Sequence, residues 1–504
     1  MMRFMVRSKY VTYICCALIC LVLSGCMVGP NYHRPSIPVP AAYKEVHAKD
    51  WCVAKPADLF HRGQWWKIFH NKQLNVLEAQ LNINNQNIAV ADAQYQQARA
   101  LVDEARAAYF PTLAASASLI FSQVAGSSGS TGSGSSGNSS STSSGSGGGG
   151  SGSFSNATTT YSFGLNASWE PDIWGAVGRA VEASVAGAQA SKAQLAAMRL
   201  SMQGSLAQDY YELRGVDSDK KLLDQTVHDD KKALQLTLNR FHQGVGSMVD
   251  VVQSRSQLET AQAQAINLGI TRGQFEHAIA VLIGEAPADL TIKFHPFFGS
   301  PPTIPPQFPS RLLERRPDIA AAERNMAQAN AQIGVAIAAY FPAFTFTPTG
   351  LIQGINNFFT APLYSWSFGP QLAETILDGG LRAATVAAAR ANYHATVAQY
   401  RQTVLAAFQD VEDNLVAVHV LKKEYIVRYK AAKDAKLALQ LVLNQYKAGT
   451  VAYTDVLVSQ INAYNAEKAA VDVTTLRMTF TVGLIKALGG GWNARATAAF
   501  RPTE

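Results

Sequence analysis

Ala107-Ala108-Tyr109-Phe110-Pro111 recurs as Ala338-Ala339-Tyr340-Phe341-Pro342, an offset of 231 between residues 111 and 342. A second pair of landmarks lies further on: Gly244 followed by Asp250-Val251-Val252, and Gly449 followed by Asp455-Val456-Leu457, an offset of 205. The offset falls by 26 between the two landmarks, so the first half carries about 26 residues that the second lacks. The stretch 126–153, almost pure Gly and Ser, supplies them; such a tract has no means of burying a core. The chain is a duplicated unit.

Each half has one order of parts: helix, Tyr-Phe-Pro, strand, loop, strand, long helix, Gly-centred turn, helix. Proline lacks a backbone donor and disfavours helix before it, so each Tyr-Phe-Pro stops the incoming helix. Strict alternation follows. Leu113, Ala115, Ala117, Leu119 and Phe121 alternate with Ser116, Ser118 and Ser122; Tyr161, Phe163, Leu165, Ala167 and Trp169 alternate with Ser162, Gly164, Asn166 and Ser168. In the second half, Phe344 and Phe346 alternate with Thr345 and Thr347, and Tyr364, Trp366 and Phe368 with Ser365, Ser367 and Gly369. Period two with aromatics on one face fits a barrel strand between lipid and water; the alternative is a half-buried strand of a soluble sheet. The helices expected near 179–241 and 381–446 would each be roughly 100 Å long at 1.5 Å per residue. Val397, Val404, Val411 and Val418 recur every seven residues, the seam of a left-handed coiled coil. A soluble helical bundle explains that seam but leaves the strands idle.

The start of the chain reads as a processing signal. Arg3, Arg7 and Lys9 precede an apolar run from Val11 to Leu23, too short to span a bilayer comfortably. It ends in Leu23-Ser24-Gly25-Cys26, the pattern of a lipobox in which Cys26 is acylated; the competing reading is an ordinary signal with a chance cysteine. Met27 in place of the Asp that retains lipoproteins at the inner membrane points to the outer membrane. Two or more acyl chains, at about 0.8 kcal/mol per buried CH₂, would hold the chain to lipid. Cys15, Cys16 and Cys20 lie in the removed segment, which leaves Cys52 as one free thiol and neither a disulfide nor a zinc site. The expected organisation is a signal peptide at 1–25, a lipid-anchored extension at 26–70, a first repeat at 71–298 carrying the Gly/Ser loop 126–153, a second repeat at 299–492, and a tail at 493–504.

Charged residues are only 16% of the sequence, below the roughly 25% of a typical soluble domain, yet no second apolar stretch reaches the length of a membrane helix. A β-barrel is then the spanning option. The net charge of +7 forms no basic stripe with aromatics, so no nucleic-acid partner is expected. Four strands per chain cannot close a barrel, and an open edge is not tolerated in lipid. Two copies would pool eight strands, an interior filled by side chains; three would pool twelve, wide enough for a pore. The expected fold class is an α+β membrane protein, a homotrimeric barrel with four strands per chain continued by a long helical coiled-coil tunnel in the periplasm.

Cys26-Met27-Val28-Gly29-Pro30-Asn31-Tyr32, Leu312-Leu313-Glu314-Arg315-Arg316-Pro317-Asp318, the paired Tyr-Phe-Pro sites and Leu488-Gly489-Gly490-Gly491-Trp492 resemble the TolC-like outer membrane factors, and within them the lipoprotein (NodT-type) branch that serves resistance-nodulation-division pumps. The resemblance covers nearly the whole mature chain; the Gly/Ser insert is the departure, at a strand-joining loop outside the cell. It implies a passive conduit for drugs and other small amphiphiles, completed by a periplasmic adaptor and an inner-membrane pump. The outer membrane channel of a type I protein secretion system is the alternative, and a structural lipoprotein a third.

The resemblance places the two Gly-centred turns at the tip of the tunnel. Glycine relieves the cost of the reversal, and the Asp after each turn is positioned to cap the returning helix. In a trimer Asp455 would also form a ring of carboxylates able to hold a constriction. The family's second acidic position is Val458 here, so the expected gate is half acidic and half apolar. The resemblance gives Tyr446 the hydrogen bond that holds the tip shut, with Asp250 in the acidic partner position, although plain packing also suits the tyrosine. Gly244, Gly246, Gly449 and Thr450 are the expected adaptor contacts. No catalytic residue, cofactor or metal is expected: the histidines show no ligand spacing, the Gly tract lacks the Lys-Ser/Thr of a phosphate loop, and the duplicated Asp172-Ile173-Trp174-Gly175 and Asp378-Gly379-Gly380 read as strand-to-helix turns.

Overall fold

A computed structural model describes residues 27–36, 43–44, 64–123, 157–297, 299–302, 304, 315–355, 362–490 and 492. The acylated Cys26, the signal 1–25, Cys52, the Gly/Ser stretch 126–153, residues 312–314, Gly491 and the tail 493–504 lie outside the described residues.

After a 3-10 turn at Trp65–Phe69, the elements are α1 (Lys72–Asn84), α2 (Gln86–Ala107), β1 (Thr112–Gln123), β2 (Ala157–Ser168), α3 (Ala176–His242), α4 (Met248–Leu282), α5 (Pro317–Ala338), β3 (Ala343–Phe346), β4 (Thr349–Ile355), β5 (Leu363–Ser367), β6 (Pro370–Ala373), α6 (Leu381–Lys447) and α7 (Tyr453–Ala487). The duplication is visible in the lengths. α2 and α5 each have 22 residues, α3 and α6 each have 67, and α4 and α7 each have 35. Among the described residues no helix is long and apolar enough to cross a membrane.

The chain divides into two compact units, each drawn from both repeats. One contains residues 103–181 and 334–387 and holds the strands. Its main sheet has the order β1-β2-β4-β5, antiparallel throughout, and β3 pairs with β6 beside it. The second-half strands expected around Phe344 and Tyr364 are each broken in two. Pro348 and the Gly369-Pro370 pair interrupt them; proline cannot donate to a ladder, while the Pro348 carbonyl still accepts from Ala167 N at 3.0 Å. Four strand lines therefore carry six segments.

Among the described residues, the other unit, drawn from 30–102, 182–333 and 388–504, is helical. Its largest core joins Trp65 and Trp66 to Leu74, Leu77 and Leu81 of α1, Tyr210, Tyr211 and Leu213 of α3, Ile279 of α4, and Val482 and Ile485 of α7. The heptad valines face inward: Val404 and Val411 are fully buried, with Val397 and Val418 packed at the margin of the same cluster. The Arg-Arg-Pro-Asp stretch is a clasp. Arg316 pairs with Asp318 at 2.6 Å and with Asp410 of α6 at 3.1 Å, and it donates to the Ala487 carbonyl at the end of α7. Gly489, at φ +89°, leaves no room for a Cβ against the Arg315 carbonyl, so these two signature segments pack backbone to backbone.

Candidate functional site

The sheet carries the first functional surface. Cross-strand partners share a face, so the register places Leu113, Ala115, Ala117 and Leu119 of β1 beside Tyr161, Phe163, Leu165 and Ala167 of β2. The same face continues through Gly350 and Ile352 of β4 to Trp366 and Tyr364 of β5. The opposite face is mostly hydroxyl and amide: Ser118 and Ser162 lie 2.7 Å apart, Thr349 and Ser367 2.6 Å. The apolar side chains are exposed, Trp366 at 82% and Phe121 at 76%, which water does not favour over such an area. At the strand-to-helix junction the repeated Tyr-Phe-Pro sites supply aromatic anchors. Trp174 stacks on Phe341 at 4.7 Å and donates to the Pro342 carbonyl, and Trp169 donates to the Tyr109 carbonyl. Tryptophan and tyrosine concentrate at membrane–water interfaces for this combination of apolar body and polar edge. Met27 is pinned there too, against Gly175, whose φ of +78° and lack of a side chain admit it.

The second surface is the pair of turns in the helical unit. Gly244 (φ +73°) and Gly449 (φ +77°) end α3 and α6 in the left-handed conformation that glycine adopts without steric cost. The closing bonds match: Gly244 N to Phe241 O and Val245 N to Arg240 O, then Gly449 N to Tyr446 O and Thr450 N to Gln445 O. The caps differ. Asp455 reaches back to accept from Ala452 N at 3.2 Å. Asp250 accepts no backbone bond; Ser247 caps α4 by accepting from Val249 N, so the expected capping role of Asp250 is replaced by serine one turn earlier. Asp455 and Val458, three residues apart, are both exposed on one stripe of α7. Gly244, Gly449 and Thr450 are exposed and Gly246 is half-buried against Arg240.

Tyr446 is buried in a small core with Ala233, Tyr453 and Val456, its ring 5.5 Å from that of Tyr453. Among the described residues its hydroxyl makes no hydrogen bond, to Asp250 or to any other group. Burial first, and the charge of Asp250 second, push the phenol above its ordinary value, with Arg240 pulling the other way.

Arg240 was not legible as a site residue. Its guanidinium lies 4.6 Å over the Tyr446 ring and donates to the Tyr446 carbonyl, tying the first turn to the second. The available signal was a break in the repeat: 205 residues on, Arg240 becomes Gln445, and Tyr446 answers to Phe241. Below it, Gln460 of α7 donates to the buried Asp230 of α3 at 3.1 Å. Burial, and then Asp229, raise the Asp230 carboxyl to about 6, offset in part by the Gln257 amide.

An apolar strand face with interfacial aromatics, together with antiparallel helical hairpins ending in glycine turns, defines an outer-membrane channel subunit. The profile of the outer membrane efflux protein family matches residues 77–285 and 308–490, and the chain belongs to that family. It is 29% identical over 485 residues to the antibiotic efflux pump outer membrane protein ArpC of Pseudomonas putida, covering 94% of this chain and 95% of that one. Among solved structures, the outer-membrane channel OprN matches at a TM-score of 0.78 and 27% identity, over 93% of this chain and 100% of that one. The open state of the MtrE outer membrane channel of Neisseria gonorrhoeae matches at a TM-score of 0.76 and 26% identity, over 93% and 99%. The chain is an outer-membrane channel component of an efflux system, a transport role, and the protein-secretion alternative is not favoured.

Proposed function

We propose that three copies of this chain form the passive outer-membrane conduit of a tripartite efflux pump for antibiotics and other small amphiphiles. The observation that carries this reading is the sheet. Its apolar face is exposed, and among the described residues β1 and β5 have no strand beyond them. Unpaired edges cannot face hydrocarbon, so neighbouring copies complete the ring, and twelve pooled strands leave an aqueous lumen. The two repeats, 71–298 and 299–492, each contribute half of a protomer's strand lines and one helical hairpin. Acyl chains on Cys26 anchor the chain; the contact of Met27 with Gly175 beside the aromatic junction supports that placement. ArpC's description as part of an antibiotic efflux pump supports the cargo class.

Tyr446, Asp250, Asp455 and Val458 form the periplasmic gate, and Gly244, Gly246, Gly449 and Thr450 meet the adaptor, which couples the conduit to an inner-membrane pump. A buried tyrosine hydroxyl without a partner among the described residues supports the gate, since such a group ordinarily finds one. The test is native mass and single-channel conductance of the detergent-extracted protein in planar bilayers. Three protomers with a small conductance are expected. One or two protomers, or intact trimers that never conduct, would overturn the reading.

A further inference from the structure

Along the helical unit, α3, α6 and α7 bound an open cavity of about 690 Å³, a size typical of small-molecule sites. Three aromatic rings line it: Tyr425 and Tyr429 of α6, their centroids 5.9 Å apart at 31°, and Phe297 from the segment after α4. Lys221, Lys433 and Lys436 line it as well, against a single carboxylate, Glu467. That carboxylate lies 3.5 Å from Lys436 and is engaged by it.

Among the described residues, one cation of the lining, Lys433, and one beside it, Arg477, lack an anion. Lys433 makes no ion pair among the described residues. Arg477 of α7, one turn past the lining Thr474, is half-buried with its guanidinium 4.7 Å over the Tyr425 ring, and no carboxylate pairs with it either. Burial lowers that guanidinium below its ordinary value, the interaction with Tyr425 opposing. A half-buried cation normally recruits a carboxylate or a carbonyl, because desolvation is otherwise uncompensated. Here the neighbouring wall offers ring faces, which attract cations and also stack on flat apolar bodies.

We infer that this cavity is a binding site for an amphiphilic organic anion, with an aromatic or fused-ring body against Tyr425, Tyr429 and Phe297 and a carboxylate or sulfonate at Lys433. A ligand filling the cavity lies against Leu222 of α3, Tyr429 of α6 and Thr474 of α7, so its occupancy fixes the spacing of the second hairpin against the first. The site is on a helix wall away from the turns and does not depend on any compound moving through the conduit.

The experiment is photolabelling of the full-length protein in nanodiscs of uncharged lipid. 4-Benzoylbenzoate is compared with the neutral 4-(hydroxymethyl)benzophenone, and adducts are mapped by mass spectrometry. The carboxylate probe should label the 425–436 and 470–477 peptides at least tenfold more than the neutral probe, and fall with added salt. Lys433→Glu should reduce that labelling at least tenfold, while Lys433→Arg keeps it and shows the fold intact. Equal labelling by both probes, labelling spread along the helices, or labelling indifferent to Lys433→Glu would each overturn the inference.

Discussion

Arg240 at the end of α3 holds Tyr446 at the end of α6 twice, by a ring contact at 4.6 Å and by a hydrogen bond to its carbonyl. The two turns are thereby joined by one side chain, and nothing in the second repeat returns the contact, because the matching residue is Gln445. A charge-assisted bond and a partly desolvated cation–π contact are together worth roughly 2 kcal/mol. Arg240→Ala should therefore raise single-channel conductance and speed hydrogen exchange at 446–453, whereas Arg240→Lys, which keeps the charge but loses the planar stack, should fall between. An alanine variant with wild-type exchange in both turns would show that Arg240 does not hold the two turns together.

Tyr446→Phe isolates the hydroxyl. Among the described residues that hydroxyl has no hydrogen-bond partner, so its removal should leave the local packing unchanged or slightly better. If its partner is supplied by a neighbouring copy, the variant should open the tip. Higher conductance with unchanged exchange protection in Ala233 and Val456 is expected. Unchanged conductance would leave Tyr446 as a packing residue only.

The long helices and the strand faces were legible because each rests on a period: seven residues between Val404 and Val411, two between Leu113 and Ala115, and a repeat that states every element twice. Breaks in the β3–β4 and β5–β6 lines were less visible, since Pro348 and Pro370 sit where alternation alone continues the strand. The tip chemistry was hidden for a different reason. Asp230 and Gln460 meet across 230 positions, and neither has a like residue at the repeat offset, where Ala435 and Arg255 stand. Contacts between unlike partners from different helices leave no periodic trace.

Asp230 gives the tip a pH dependence with a definite sign. Its carboxyl is raised to about 6, chiefly by burial, so the ionised form is the one that the packed hairpins disfavour. That penalty is absent below the ordinary carboxylate value near 4, grows between about 4 and 6, and is complete above 6. Asp230→Asn keeps an oxygen for Gln460 and removes the charge. At pH 7 it should slow exchange in the 226–236 and 456–463 segments relative to wild type; at pH 4 the two proteins should match. An equal difference at both pH values would show that the charge is not the cause.

Asp217 should be among the most costly single losses in the helical unit. It is fully buried, pairs with Arg214 at 2.6 Å and Arg272 at 2.9 Å, and accepts from His295 N. Arg272 in turn holds Glu276, which accepts from Ile292 N. Asp217→Ala leaves the buried Arg214 without its carboxylate, with only the Lys293 carbonyl and the Gln73 amide oxygen to accept from it, and loosens the segment after α4, a loss of roughly 3 kcal/mol for a buried pair broken on one side. Protection of the 292–297 amides should collapse while the sheet is unaffected. Retained protection there would mean that the core around Ile292, not the ion pair, holds the segment.

Asp455 has two roles that one substitution confounds and two can separate. Its carboxylate caps α7 by accepting from Ala452 N, and it stands exposed on the same stripe as Val458, where three copies would gather three charges. Asp455→Ala removes both functions, costing roughly 1 kcal/mol of helix stability from the lost cap. Asp455→Asn keeps an oxygen able to accept the backbone bond and removes only the charge. If a carboxylate ring holds the constriction through bound cations, conductance should change in both variants, and the wild-type channel alone should respond to added divalent cations. If the aspartate only caps, the asparagine channel should behave as wild type while the alanine channel shows faster exchange at 452–456. Val458→Asp then provides the converse test. It restores the second acidic position that the family resemblance leads one to expect, and it should sharpen the cation response of a channel gated by charge while leaving a channel gated by packing unchanged.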